Sequence, residues 1–313
     1  MAPVVADPVA LENGGMPPVA QGSVALGLLR SARPRQWIKN ILVFAAPGAA
    51  GVLSNAHDAL RVLATFGIWC LVSSGTYLVN DVLDAEADRL HPLKRHRPIA
   101  SGSVPIPLAI SVGPVAMAGG IGLAFLLAGG QLAGVLAIYC AITISYSVRL
   151  KHEPVIDLFC VASGFILRAI SGGLAVGVPL SNWFLIVASF GSLFLVTGKR
   201  SAEYIQLGEL RAQHRATLGA YSHSFLVFVR TVAAGATLTA YCLWAFEKVA
   251  LARQHRAIWF QLSIVPFVLA LLLYALHLDA GDGGAPEEIA LTDRRLQAVA
   301  AIWVCLFAIG VYA

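Results

Sequence analysis

Four carboxylates and an amide crowd into nine residues: Asn80-Asp81-Val82-Leu83-Asp84-Ala85-Glu86-Ala87-Asp88. On a helix, residues three and four apart share a face. That stacks Asn80, Asp84 and Asp88, sets Asp81 beside Asp84 and turns Glu86 away. Carboxylates held this close repel one another unless a cation neutralises them. Oxygen donors with no His or Cys among them select magnesium, which one or two carboxylates bridge to substrate phosphates. The spacing therefore predicts Mg2+ on Asp81, Asp84 and Asp88. The next segment, His91-Pro92-Leu93-Lys94-Arg95-His96-Arg97-Pro98-Ile99-Ala100-Ser101-Gly102, supplies Lys94 and Arg97. Acid followed by base suits a magnesium-bound diphosphate, the metal taking some oxygens and the cations the rest.

The elements that must position these groups are apolar. Of 313 residues, 58% are hydrophobic and 12% charged, and mean hydropathy is +0.75. An ordinary soluble domain carries about 25% charged residues, so a water-soluble globule and a disordered chain are both excluded. A net charge of +5 on such a chain gives no reason to expect nucleic acid. The expected partner is the lipid bilayer, whose core takes about 20 apolar residues per helix.

Nine segments qualify, at 37–53, 60–80, 105–126, 131–148, 155–176, 183–198, 225–246, 259–277 and 297–313. The fold class expected is all-α: a polytopic membrane protein of nine transmembrane helices around a central cavity, with a cytoplasmic polar cap. Pro47 should kink the first span. Residues 1–30 read as a flexible cytoplasmic tail and 31–313 as one nine-helix transmembrane catalytic domain. Sixteen of the 22 lysines and arginines fall on one side of this arrangement. By the bias of cationic loops toward the cytoplasm, the N-terminus and the long polar loops are inside and the C-terminus outside. The segment 247–258 breaks that trend. Oxygen side chains at a membrane mouth are costly unless used, which weighs against a merely solvated helix end at 80–88. Cys70, Cys140, Cys160, Cys242 and Cys305 lie in apolar runs and read as small buried hydrophobes. Small-residue faces permit a homo-oligomer without demanding one.

Asn80 to Asp88, followed by the Arg-Pro-Ile-Ala-Ser-Gly run, resembles the UbiA-type membrane prenyltransferase superfamily over about residues 30–313. The resemblance implies a ring of nine helices, a lipid-open cavity and a magnesium diphosphate bound on the cytoplasmic side of a bacterial plasma membrane. Prenyl-transferring members carry a second acidic motif at the inner end of the sixth span. Here that place reads Gly198-Lys199-Arg200-Ser201-Ala202-Glu203-Tyr204, with Lys199 and Glu203 where two Asp are expected. One carboxylate survives and two cations appear. That weakens a second metal and favours direct binding of phosphate. Tyr146 and Lys151 resemble the family's Tyr-and-Lys loop after the fourth span. Asp157 lies one turn inside the mouth on the fifth helix, and Arg168 stands eleven residues deeper. An intramembrane Arg is a functional candidate, and a structural bond to helix carbonyls is a close alternative.

Arg33-Pro34-Arg35-Gln36-Trp37-Ile38-Lys39-Asn40 and Lys199 to Tyr204 are similar to the phosphoribosyl-transferring branch of the superfamily, which serves arabinan precursor synthesis for the cell wall. That resemblance implies 5-phosphoribosyl 1-diphosphate as donor and decaprenyl (polyprenyl) phosphate as acceptor, with pyrophosphate released. Magnesium on Asp81, Asp84 and Asp88 would stabilise the leaving group, and Asp157 or Glu203 the oxocarbenium-like sugar. Lys94, Arg97, Lys199 and Arg200 would hold the two phosphates. Lys39, Asn80, Tyr146, Lys151, Arg168 and Tyr204 complete the expected substrate-binding set. Two alternatives stand beside this reading. A prenyl diphosphate:aromatic acceptor prenyltransferase predicts two full acidic motifs. A transporter predicts midplane charges and an inverted repeat, and neither pattern is evident.

Overall fold

A computed structural model describes residues 23–208, 216–251, 254–281 and 286–313. The expected tail falls mostly outside these residues. Every described element is helical, and no strand occurs among the described residues. Helix α1 (Val24–Ser31) is followed by a 3-10 segment (Pro34–Phe44) that runs into α2 (Ala45–Ala50). Then come α3 (Ala56–Leu83), α4 (Ala85–Leu90), α5 (Ile106–Val148), α6 (Ile156–Ala175) and α7 (Asn182–Leu207). The remainder is α8 (Ala216–Ala220), α9 (His223–Leu251), α10 (Gln254–Leu262), α11 (Ile264–Asp279), α12 (Pro286–Thr292) and α13 (Arg294–Tyr312).

Local chemistry explains the starts. Asn55 caps α3 by accepting from the His57 and Asp58 amides at 2.9 and 3.3 Å. Ser181 caps α7 through Phe184 N at 3.1 Å, and Asp293 caps α13 through Arg295 N at 2.7 Å. Each satisfies a backbone donor that a helix start leaves orphaned.

Seven helices among the described residues are long and apolar enough to cross a membrane. One of them, α5, is 43 residues long and breaks at Ala128 and at Gly129, which has φ 77°. Glycine adopts that left-handed backbone without a Cβ penalty. Both halves pack on α3: Gly120 meets Val72 and Tyr139 meets Trp69, while Ser147 bonds Asn80 at 2.8 Å. Residue numbers fall along α3 as they rise through the first half and rise together in the second. The chain thus reverses at the break, and the expected spans 105–126 and 131–148 are its two arms. The expected first span, 37–53, is not one α-helix. It is an eleven-residue 3-10 turn series leading into a six-residue α-helix that holds Pro47. Gly172 on α6 accounts for part of this: a Cβ there would stand 1.8 Å from the Val43 carbonyl oxygen. The irregular segment is pressed against α6 where only glycine leaves room.

Large apolar side chains such as Leu126, Val115, Leu276 and Phe228 face outward, as in a protein whose solvent is lipid. The circuit closes where Tyr312 of α13 donates to the Gly48 carbonyl of α2 at 3.3 Å. Inside it lies a cavity of about 600 Å³, lined by the 3-10 segment, α5, α6, α7, α11, α12 and α13.

Candidate active site

Helix α3 does not run straight through the acidic motif. It ends at Leu83, Asp84 is its C-cap, and α4 begins at Ala85. The cations around it divide the carboxylates. Asp84 keeps its expected neighbour, accepting from Asn80 Nδ2 at 3.1 Å, and pairs with Lys151 Nζ at 2.7 Å. Asp88 turns toward Asp81 instead. Arg97 Nη1 bridges them, 2.6 Å from Asp88 Oδ2 and 3.2 Å from Asp81 Oδ1. Asn80 and Asp84 keep the expected contact, whereas Asp88 shares Arg97 with Asp81, seven residues earlier and on the same helical face, so the three expected side chains do not act as one group.

Asp81 also pairs with Arg33, whose guanidinium lies 5.0 Å from the Tyr77 ring. Arg33 precedes the 3-10 segment in a left-handed conformation, φ 53°. Arg97 is delivered by the loop behind it, in which Ala100 is buried and Ile99 is buried against Leu78, Ala85 and Val104. Those contacts explain the Arg-Pro-Ile-Ala stretch: Ile99 is the peg and Arg97 the side chain it aims. Lys94 stands exposed on the turn before Arg97, so Arg97 is the cation that reaches the carboxylates.

A second charged group lies at the inner ends of α6 and α7. Asp157 is fully buried. It accepts from Arg200 Nε and Thr217 Oγ1, both at 3.3 Å, and from the Tyr221 hydroxyl. Arg200 Nη1 pairs with Glu203 at 2.8 Å. Val155, two residues before Asp157, has φ 69°. For a β-branched residue that is a genuine outlier, of the kind that costs about 1–3 kcal/mol and persists only where its surroundings over-determine it. The Val155 amide donates to the Tyr221 hydroxyl oxygen at 2.6 Å. Burial pushes the Tyr221 phenol well above its ordinary value, and its bond to Asp157 adds to the rise, so the hydroxyl stays a donor. Asp157, expected beside the reacting sugar, is enclosed by its partners.

Lys39, Tyr146, Lys199 and Arg200 line the polar end of the cavity, and Ile41, Leu42, Val161, Phe165 and Leu195 its apolar wall. A second chamber of about 340 Å³ continues from it, sharing Leu42, Phe165, Leu195 and Tyr274. Tyr204 packs beside His223, with ring centroids 5.9 Å apart. Arg168 is 5% exposed and bonds Asn40 Oδ1 at 2.7 Å, the Gly164 carbonyl at 2.6 Å and the Tyr139 hydroxyl at 3.3 Å. Its guanidinium also lies 4.6 Å from the Trp69 ring. These bonds include the helix carbonyl that the sequence left as an alternative, and they tie the first segment to α5 and α6.

The donor set suits a magnesium ion, with limits. No three His, Cys, Asp or Glu side chains converge on one point among the described residues, so the expected three-carboxylate cradle is not assembled. One or two carboxylates with the balance from a diphosphate is a normal magnesium environment, and Asp81, Asp84 and Asp88 at one mouth fit that. Sequence reasoning did not place Arg33, Thr217 and Tyr221 in the site. Arg33 stood within a motif singled out for other residues, and nothing in the spacing of the inner loop marks Thr217 or Tyr221.

The chain is 45% identical to the decaprenyl-phosphate phosphoribosyltransferase of Corynebacterium glutamicum, over 93% of this chain and 88% of that one. It is 44% identical to the enzyme of the same name from Mycolicibacterium smegmatis, over 91% and 92% of the two chains. Among solved structures it superposes on a UbiA homolog from Archaeoglobus fulgidus bound to GPP and Mg2+, with a TM-score of 0.68, 18% identity and coverage of 91% of this chain and 98% of that one. The profile of the UbiA prenyltransferase family matches residues 41–311. With its bent acidic helix end, its membrane-length helices and a match over nearly the whole chain, this multi-pass membrane protein belongs to the UbiA prenyltransferase family.

Proposed function

We propose that the protein transfers the 5-phosphoribosyl group from 5-phosphoribosyl 1-diphosphate to decaprenyl phosphate, releasing pyrophosphate, as a step toward cell-wall arabinan precursors. One observation carries the reading. Lys199 stands at one of the two positions where prenyl-transferring members are expected to hold Asp, Arg200 follows it, and both line the polar end of a long apolar cavity. A cationic rim on an apolar chamber suits a lipid phosphate. The two adjoining chambers suit its isoprenoid tail.

The reaction joins two anions, so the residues must separate their charges. An acceptor phosphate oxygen attacks ribose C1, and the bond from C1 to the diphosphate oxygen breaks with its electron pair on the diphosphate. Lys39, Lys199 and Arg200 hold the acceptor phosphate. The acidic mouth receives the donor, with Arg33, Arg97 and Lys151 as the cations beside it. Asp81, Asp84 or Asp88 would hold a magnesium ion, which when bound would supply positive charge to the leaving diphosphate. The nucleophile is already ionised, so no strong general base is required. Glu203, about one-quarter exposed, is the carboxylate left to favour positive charge on the sugar, since Asp157 is enclosed.

On this reading residues 31–313 are one transmembrane catalytic domain with nine crossings, the 3-10 segment with α2 serving as the first and the two arms of α5 as the third and fourth. The N-terminus and the polar cap face the cytoplasm and the C-terminus faces outward. Membranes containing the protein, given labelled 5-phosphoribosyl 1-diphosphate and decaprenyl phosphate, should form a labelled lipid. Product from a prenyl diphosphate and an aromatic acid, with none from the phosphoribosyl donor, would overturn the reading.

A further inference from the structure

Arg200 is a cavity-lining cation whose guanidinium is held at two points. Its Nε is fixed on Asp157 at 3.3 Å and its Nη1 on Glu203 at 2.8 Å. Two anchors set the plane of a guanidinium, and phosphate recognition by Arg depends on that plane. Asp157 in turn is fixed from the inner loop by the Tyr221 hydroxyl and by Thr217 Oγ1. The Tyr221 oxygen does two jobs at once. It donates to Asp157 and accepts from the Val155 amide at 2.6 Å, holding the left-handed turn from which α6 begins. The ring is separately secured, stacked on Phe225 at 5.5 Å and packed with Leu158 and Leu218. The fold therefore spends a buried hydroxyl on Asp157, a residue that has no exposed surface of its own.

We propose that Tyr221 is a positioning residue which, through Asp157, sets the Arg200 guanidinium at the cavity wall and so governs affinity for the phosphate of the lipid acceptor. This rests on the function proposed above, in its assignment of that wall to the acceptor. Tyr221 does not touch substrate. Its route to the cavity wall runs through Asp157 to Arg200. The donor's cations, Arg33, Arg97 and Lys151, belong to the other carboxylates.

The test uses the full-length protein in detergent or vesicles. Tyr221→Phe keeps the ring and removes both hydrogen bonds. It should raise KM for decaprenyl phosphate about tenfold, the size expected for losing a hydrogen bond to a charged group. KM for 5-phosphoribosyl 1-diphosphate and kcat should stay within about threefold. Thr217→Val, which leaves the Val155 turn held, should shift the same constant in the same direction by less. Unchanged acceptor KM in Tyr221→Phe overturns the proposal. So does a loss shared equally by both KM values and kcat, because that marks a structural role only. Equilibrium binding of decaprenyl phosphate, followed by tryptophan fluorescence without donor, separates this idea from the function it rests on. Absence of phosphoribosyl transfer by the wild type removes the function, whereas equal binding by wild type and Tyr221→Phe removes the role of Tyr221.

Discussion

Arg97 Nη1 stands 2.6 Å from Asp88 Oδ2, on the far side of the bend that ends α3. That contact, with its second arm on Asp81, makes one guanidinium the counter-ion of two nearly buried carboxylates. Asp84 is left to a different cation, Lys151, and is about one-quarter exposed. The motif therefore contains two kinds of carboxylate, and substitution should separate them.

Asp84→Asn should abolish phosphoribosyl transfer while barely changing stability. Its pair with Lys151 is partly solvated on both sides, and such pairs contribute about 1 kcal/mol or less. Asp81→Asn should lose activity and also about 2 kcal/mol of stability, since it strips Arg33 and Arg97 of a buried acceptor. Activity and thermal unfolding in the same detergent measure both. Full activity in Asp84→Asn would exclude it from the reaction.

Chelation should stop turnover and added magnesium restore it. Binding without the donor should be weak, because Arg33 and Arg97 already neutralise Asp81 and Asp88. Manganese titration followed by electron paramagnetic resonance should show weak binding to the protein alone and tight binding with pyrophosphate present. Arg97→Gln should strengthen manganese binding without pyrophosphate. Equal affinity with and without pyrophosphate would show that the arginines do not compete with the metal.

Much of this site was legible in the residues, for definable reasons. Carboxylate spacing announced Asp81, Asp84 and Asp88 because helical periodicity is local. Apolar runs announced the membrane-length helices, including both arms of α5, because run length and the gap between 126 and 131 are local features of the chain. What stayed hidden was set by tertiary contact. The division of the carboxylates depends on Arg97 and Lys151, which lie in other segments of the chain. The 3-10 form of the first segment depends on Gly172, more than a hundred residues away. The burial of Asp157 depends on Tyr221, 64 residues further on, in a loop without periodicity.

Lys199→Ala should raise the requirement for the lipid acceptor more than it lowers stability. Lys199 lines the polar end of the cavity, whereas the acidic mouth draws its cations from Arg33, Arg97 and Lys151. Steady-state kinetics with each substrate varied in turn decide it. If both substrates bind as in the wild type, the basic motif is structural.

Gly172→Ala should destabilise the protein without touching any charged group. A methyl placed 1.8 Å from the Val43 carbonyl oxygen forces the 3-10 segment off α6. Overpacking of this kind costs about 1–3 kcal/mol, and more where backbone must move. Lower thermal stability, with weaker acceptor binding because Lys39 rides on the same segment, is the expected pair of results.

Gly191→Leu should discriminate between acceptors by tail length. Gly191 lines the inner chamber, and its Cβ position meets nothing closer than Thr237 at 3.7 Å. The site accepts a Cβ without a clash, and the volume beyond it is expected to enter the chamber that Gly191 lines. The polar end, with Lys39, Lys199 and Arg200, lies in the outer chamber and is unaffected. A short polyprenyl phosphate that ends before the inner chamber should therefore react as with the wild type. Decaprenyl phosphate should bind several-fold more weakly, because burying apolar tail drives that part of the affinity. Equal losses for short and long acceptors would mean that the tail leaves the cavity before Gly191, sideways into the bilayer.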